Sequence, residues 1–284
     1  MYNYTDIAPF LKDWEINYDY INSLPNEPKL YINGASEHYG DGTLEDLAKL
    51  VPNHTVLSHY HSEHTQFHPY WYHWSVNNFE NLYKQNIAND RKTYRLSCLN
   101  GVSRTHRILN YIWLNPTDDM YFTMANQGSN RDWLELPIEV KQEWNTIKHT
   151  LSQNYPSQET FGFLTNLACD DSYVQLVTET TVEPKIFVSE KTWKPIASGQ
   201  LFLILGNQGI IKHLRDQGID CFDDIIDHSY DLEEDAIERI KKIHTSVRSL
   251  LKEDLLQINI ATKQRRIKNA GLFWSQKLYG EPNA

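Results

Sequence analysis

Long apolar runs, cysteines, positive charge and glycine-rich nucleotide signatures are what this sequence has least of. No stretch of about 18 apolar residues occurs, so a membrane-spanning helix is not expected. The start, Met1-Tyr-Asn-Tyr-Thr-Asp, carries neither the basic nor the apolar region of a secretory signal, and a cytoplasmic, unanchored protein is the expectation. The three cysteines, Cys98, Cys169 and Cys221, form no CxxC pair. That spacing suggests neither a disulfide framework nor a cysteine zinc site, and they read as reduced core thiols. Neither GxGxxG nor GxxxxGK[ST] is found, which removes the dinucleotide fingerprint and the Walker loop. Lys plus Arg number 27 against 37 Asp plus Glu, a net charge of −10, which argues against general nucleic-acid binding while leaving room for a local basic cleft.

What is present is aromatic: 17 Tyr and 8 Trp lie among 284 residues, too rich a composition for a disordered chain. The length suits one large α/β domain or two compact lobes. Short apolar runs between turn residues predict strands at Lys29–Asn33 and Thr55–Ser58 and a helix at Leu44–Leu50. A polar stretch from Lys84 to Lys92 places a lobe boundary near Asp90, giving an N-terminal lobe over 1–90 and a C-terminal lobe over 91–284. Beyond it, strands at 93–99, 121–124, 173–178 and 201–205 alternate with helices near 105–114, 138–151, 189–198 and 210–217, the rhythm of a parallel sheet. Apolar positions at helical spacing from Leu232 to Trp274 predict long C-terminal helices, with Gly271 as the first breaker.

Four segments carry possible chemistry. Val188 to Gly206 places Glu190, Lys191 and Lys194 at the start of a helix with Ser189 as its cap. A helix N-terminus flanked by lysines can hold phosphate, and a carboxylate there can accept from ribose or sugar hydroxyls; the plainer alternative is a capped helix with solvated lysines. Cys98 to Arg107 joins a strand to a helix, where open α/β sheets bind ligands, and offers Asn100 for a tight turn and Arg104 as a forked donor to a diphosphate. The third segment holds six of the 12 histidines, His54, His59, His61, His64, His68 and His73. Its core, His59-Tyr-His-Ser-Glu-His64, resembles the HxHxDH signature of the metallo-β-lactamase superfamily with Glu63 in place of Asp, and imidazoles so spaced can bind zinc. The preferred reading is an aromatic cleft wall, with Trp71 stacking on a sugar and His61 and His64 bonding its hydroxyls, and no metal. The fourth, Asn33 to Gly42, is a glycine-punctuated loop after a strand. It carries Glu37, which suits a general base at a cleft or merely an exposed turn.

Val188 to Gly206 also resembles the donor-binding motif of glycosyltransferase family 10, the α-1,3-fucosyltransferases, in its Ser-Glu-Lys segment, small-residue helix and apolar strand ending in Gly. The region from Cys98 to Tyr230 is similar to glycosyltransferase-like proteins of bacteriophages and large viruses. The resemblance implies a GT-B-like fold of two Rossmann-like lobes with a cleft between them. It further implies a nucleotide-sugar co-substrate rather than a bound cofactor, and inverting, metal-independent transfer. Glu190 and Lys191 would contact ribose and phosphates, joined by Lys194, Arg104 and Asn100, with Glu37 as base and Glu63 as its runner-up. The acceptor would be a carbohydrate or a hydroxymethylated base in phage DNA, the latter needing basic strips such as Arg91, Lys92 and Arg95 or Lys263, Arg265, Arg266 and Lys268. The rival readings are a metal-dependent hydrolase on His59, His61 and His64, and a sugar- or nucleotide-binding module without chemistry.

Overall fold

The computed structural model describes residues 4–12, 15–23, 30–35, 43–60, 62–79, 87, 89–124, 135–153, 171–275 and 278–279. Two parallel sheets organise the chain. In the first third lie β1 (Tyr4–Asp6), the short antiparallel pair β2 (Leu11–Lys12) and β3 (Glu15–Ile16), α1 (Tyr18–Ser23), β4 (Tyr31–Asn33), α2 (Thr43–Leu50), β5 (Thr55–Ser58), β6 (Gln66–Phe67) and α3 (Tyr70–Asn78). The first sheet has the order β1-β4-β5-β6, every neighbouring pair parallel. Leu44 and Leu47, three apart and so on one helix face, are buried with Ile7, Phe10, Ile32 and Val56 in a core of their own.

The second sheet is built from β7 (Tyr94–Asn100), α4 (Thr105–Leu114), β8 (Met120–Met124), α5 (Ile138–Gln153), β9 (Ser172–Thr178), α6 (Glu190–Ser198), β10 (Leu201–Leu205) and α7 (Ile210–Asp216). Its order is β10-β9-β7-β8, again parallel throughout. All five residues of Leu201-Phe-Leu-Ile-Leu205 are buried, the signature of a strand covered on both faces. Gly199 at φ +66 stops α6, and Gly218 at φ +85 follows the end of α7, conformations that L side chains enter at a cost. The protein is thus α/β with two parallel sheets, each with its own core.

Three features depart from the sequence reading. The C-terminal helices number three, α8 (Ala236–Leu250), the short α9 (Leu255–Ala261) and α10 (Lys263–Trp274), because Asp254 caps a new start by accepting from the Gln257 N–H at 3.1 Å. Gly271 ends nothing: it lies inside α10 with open space where a Cβ would be. Helix α3, on the N-terminal side of Asp90, packs into the second core, where Tyr72 and Phe79 meet Phe273 and the Tyr72 hydroxyl donates to the Phe273 carbonyl at 3.0 Å.

The proposed basic strips are also taken apart. Lys263 pairs with Asp90 at 2.9 Å, and Arg265 pairs with Asp220 at 2.6 Å and Asp224 at 2.8 Å. Arg266 is buried, donating to the Gly199 and Asn259 carbonyls at 2.6 Å each. Arg95 donates to the Leu251 carbonyl. These four side chains are engaged by partners within the protein. Cys98 and Cys221 are buried free thiols, while Cys169 lies outside the described residues.

Candidate functional site

From β7 the chain moves outward to β8 on one side, whereas β9 and β10 lie on the other, so the strand order reverses between β7 and β9. In open parallel sheets the crevice outside the carboxyl ends at such a reversal is where ligands bind. The last residues of the two strands are tied together, the Thr178 hydroxyl donating to the Asn100 side-chain carbonyl. The Asn100 N–H donates to Thr123 Oγ1 at 3.1 Å and its side-chain amide meets Cys98 Sγ at 3.4 Å. Asn100 is fully buried and its groups are engaged, so it shapes the crevice floor.

On the β7 side, Arg104 is the N-cap residue of α4, extended and half-buried. One turn on, Arg107 is buried and donates to the carbonyls of Val102 at 3.0 Å, Thr178 at 3.4 Å and Glu179 at 3.1 Å. Burial, and then the neighbouring Arg104, lower its pKa to about 10, which leaves it charged at neutral pH. His106 is also buried. Burial, then Arg107, push its pKa down to about 3, so the neutral ring donates from Nε2 to the Glu179 carbonyl at 2.9 Å.

On the β9 side the organising group is Glu179, which is fully buried. Its carboxylate accepts from Ser189 N at 3.0 Å, Ser189 Oγ at 2.6 Å, Thr192 Oγ1 at 2.6 Å and Thr180 N at 3.0 Å. A buried carboxylate is tolerable only when so satisfied, and here it fixes the first turn of α6 against the strand end. Ser189 caps α6 by accepting from Lys191 N at 3.3 Å. Gly206 gives Glu179 its room, since a Cβ there would lie 3.2 Å from Glu179 Cγ and 3.0 Å from Ile210 Cδ1.

On that fixed turn stand Glu190 and Lys191, the Lys191 ammonium donating to Glu190 Oε1 at 2.7 Å. Burial alone would raise the Glu190 carboxyl, but the charge and hydrogen bond of Lys191, with Arg107 behind it, hold it below the usual carboxylate range. Both side chains remain about a quarter exposed, 24 % for Glu190 and 22 % for Lys191, so they can reach a ligand. Lys194, one turn on, is partly exposed. Arg104 and Lys191 thus bring positive charge to the crevice beside a helix N-terminus and one carboxylate.

A cavity of about 240 Å³ lies where the carboxyl ends of the first sheet meet the loop that leads into α6. Ala35, His59 and Tyr60 contribute from the first sheet, and Ile186, Val188 and Trp193 from the second. Trp71, Tyr72, His68 and Tyr279 complete much of the wall. The rings meet edge to face: Tyr72 stands 5.2 Å from Trp193 and 5.2 Å from Tyr279, and Tyr70 stands 5.2 Å from Trp71. His68 stacks on His73 at 5.7 Å; burial first, then His73, brings the His68 pKa down to about 4, so this imidazole is neutral. Burial pushes the Tyr72 hydroxyl up to about 12 and that of Tyr279 higher still.

The sequence candidates therefore separate. Glu190, Lys191, Arg104 and Asn100 lie about the ends of β7 and β9 and the start of α6, Lys194 stands one turn further along α6, and Trp71 lines the cavity. Glu63 and His64 are exposed on the bend after β5 and do not line it. Glu37 and His61 lie outside the described residues. His59 packs edge-on against Phe187 at 4.7 Å, and among the described residues no group of three or more His, Cys, Asp and Glu is arranged to hold a metal ion. His54 is structural, its Nδ1 accepting from the Leu30 N–H at 3.1 Å. Glu179, His106 and Arg107 are the residues the sequence reading missed. Arg107 was one signal within reach, three positions after Arg104 on the same helical face.

No family model matches the chain, and no curated protein matches it. Among solved structures it is similar to one described as the crystal structure of an alpha1,3-fucosyltransferase, with 14 % sequence identity and a TM-score of 0.39, over 90 % of this chain and 75 % of that one. Among the described residues no helix is long and apolar enough to cross a membrane.

Proposed function

We propose that the protein is a glycosyltransferase that moves a sugar from a nucleotide-sugar donor to an acceptor hydroxyl. The observation that carries this reading is the crevice at the strand reversal. There the α6 N-terminus, Lys191, Lys194 and Arg104 offer a diphosphate its countercharge, and Glu190 offers a ribose its acceptor oxygen. In such a reaction the acceptor oxygen attacks the anomeric carbon as the bond to the diphosphate breaks. The cations stabilise the departing nucleoside diphosphate, and a base takes the acceptor proton.

The acceptor belongs in the aromatic cavity, which opens between the two sheets beside the loop leading to α6. Glu37 is kept as the proposed base on the sequence alone; Glu63, exposed and outside the lining, is the weaker choice. A carbohydrate acceptor is favoured over a DNA base because Lys263 and Arg265, two of the cations a phosphate backbone would use, are already paired with Asp90, Asp220 and Asp224.

A thermal-shift screen with UDP, GDP, CDP and their sugar conjugates tests the reading. A ligand at 100 times its Kd stabilises by about 2.7 kcal/mol, roughly 5 °C for a chain of this size. Stabilisation by one nucleoside diphosphate, cut to about half in Lys191→Ala, is the expected result. No response to any of them overturns the proposal.

A further inference from the structure

The crevice has two walls, and one side chain bridges them beyond the ends of the strands. The first wall is the turn after β7, residues 101–104, which ends at Arg104; the second is the chain leaving β9 at Thr178 and Glu179. The Arg107 guanidinium donates from Nη1 to the Val102 carbonyl at 3.0 Å, and from Nη2 to the Glu179 and Thr178 carbonyls at 3.1 and 3.4 Å. His106, the residue before it, donates to the same Glu179 carbonyl at 2.9 Å. Each wall's carbonyl is one step from a charged side chain of the crevice. The Val102 carbonyl also accepts from the Arg104 N–H at 3.0 Å. Glu179 carries the carboxylate that holds Ser189 and Thr192, and with them the turn bearing Glu190 and Lys191.

Arg107 is a costly way to fill this space. It is 3 % exposed, its hydrogen bonds go to neutral carbonyls, and its Nε finds no acceptor among the described residues. An apolar side chain of similar length would pack there without desolvating a charge. Burial and the neighbouring Arg104 both disfavour the cation, and the carboxylates of Glu179 and Glu190 offset them only in part. What a guanidinium offers in return is a rigid plane whose two terminal nitrogens have fixed spacing, one turned to each wall. That spacing matters for a ligand gripped from both sides, because two linked contacts reinforce one another only where the geometry admits both together.

We propose that Arg107 is a positioning residue: without touching a ligand, its guanidinium sets the distance between the wall that carries Arg104 and the turn that carries Glu190 and Lys191. A diphosphate can then meet both walls at once, whereas a single phosphate needs only one. This role rests on the transferase reading for what the crevice holds, while the bridge itself stands without it.

The test compares the full chain with Arg107→Met and Arg107→Lys. Arg266→Met is the matched control, since Arg266 is likewise buried and bonded to carbonyls, one of them Gly199 at the opposite end of α6. Hydrogen exchange read by mass spectrometry without ligand follows residues 101–104 and 179–189, and titration calorimetry follows UDP, GDP, CDP and the matching monophosphates. Arg107→Met should speed exchange in both segments, and should weaken the bound diphosphate at least about tenfold while changing its monophosphate less than about twofold. Arg107→Lys keeps the charge without the fork and should lower the diphosphate-to-monophosphate affinity ratio at least about threefold. If Arg107→Met does not fold, the lysine variant decides alone. Arg266→Met should leave the ratio and both segments unchanged. Equal weakening of diphosphate and monophosphate overturns the proposal, as do a wild-type ratio in Arg107→Lys, unchanged exchange in either segment, or the same loss in Arg266→Met. Faster exchange in both segments of a chain that binds no nucleotide would leave the bridge standing and remove the transferase; nucleotide binding with the ratio intact in Arg107→Met would do the opposite.

Discussion

The Lys185 ammonium stands 4.2 Å from the centre of the Tyr60 ring, carrying the loop after β9 onto the end of the first sheet. The same ammonium lies 3.6 Å from Glu45 Oε1 on α2, and the Tyr60 hydroxyl donates to Glu45 Oε2 at 2.7 Å. Two positions on, the Phe187 ring meets His59, while the Phe187 N–H donates to Asn207 Oδ1 at 2.8 Å. The loop is therefore fastened to its own sheet at Asn207 and to the other sheet at Tyr60 and His59. Ile186, between the two fastenings, lines the cavity.

Lys185→Met should lower stability by about 1 kcal/mol, the scale of one partly exposed cation–π contact with a weak ion pair. A double-mutant cycle with Tyr60→Leu, read by urea unfolding, should show coupling of about 0.5 kcal/mol. Strict additivity would mean that the two groups do not interact.

Glu179→Ala removes the acceptor for two hydroxyls and two backbone N–H groups and leaves them buried. A loss of about 3 kcal/mol is expected, since each unsatisfied buried donor costs ~1–3 kcal/mol and neighbours share the relaxation. Because the same carboxylate fixes the first turn of α6, nucleoside diphosphate stabilisation should disappear at temperatures where the variant is still folded. Calorimetry on the variant with and without nucleotide separates the two effects.

Lys191→Ala should weaken nucleoside diphosphate binding about tenfold, or roughly 1.4 kcal/mol, with little change in unfolding free energy. Glu190→Gln keeps the shape but discards the charge that accepts ribose hydroxyls and should weaken binding to a similar degree. Arg265→Ala, remote from the crevice and paired with Asp220 and Asp224, should leave nucleotide affinity unchanged while lowering stability. Titration calorimetry of the three variants gives the ordering.

Acid should unfold the protein by way of its buried histidines. Burial lowers the pKa of His106 to about 3 and, with Arg248 adding to it, that of His244 to about 4, whereas in the unfolded chain each titrates near 6.5. Between about pH 6.5 and 4 the unfolded state therefore binds protons that the folded state refuses, so stability falls as pH falls through that window. From pH 7 to 5 these two groups together should cost about 4 kcal/mol. Urea midpoints at the two pH values measure it, and His244→Asn should flatten the slope by the share of one proton.

Local signals in the sequence were read well where one short segment decides the outcome. Ser189 caps α6 as its side chain demands, and Thr105–Leu114 and Leu201–Leu205 form at their anticipated bounds. What escaped is what depends on residues distant in sequence. Glu179 follows a strand and looks like any loop carboxylate, because its partners Ser189 and Thr192 lie 10 and 13 positions away. The run Lys263 to Lys268 looks like a basic face because its partners sit elsewhere: Asp90 is 173 positions from Lys263, and Asp220 is 45 from Arg265. Glu63 and His64 matched a ligand spacing, but the bend after β5 turns them to solvent. Gly271 is tolerated inside α10 because it sits where no neighbour would touch a side chain.

Helix α3 has a consequence for any attempt to take the chain apart. The hydrogen bond from Tyr72 to the Phe273 carbonyl joins residues 201 positions apart, and Phe79 stacks on the same ring. A cut between α3 and β7 would yield a first fragment with its aromatic helix bare and a second with a matching void beside Phe273 and Trp193. Neither piece would be an independent module. Mixed together they would behave as complementary fragments whose reassembly is driven by one plug of aromatic rings entering one socket.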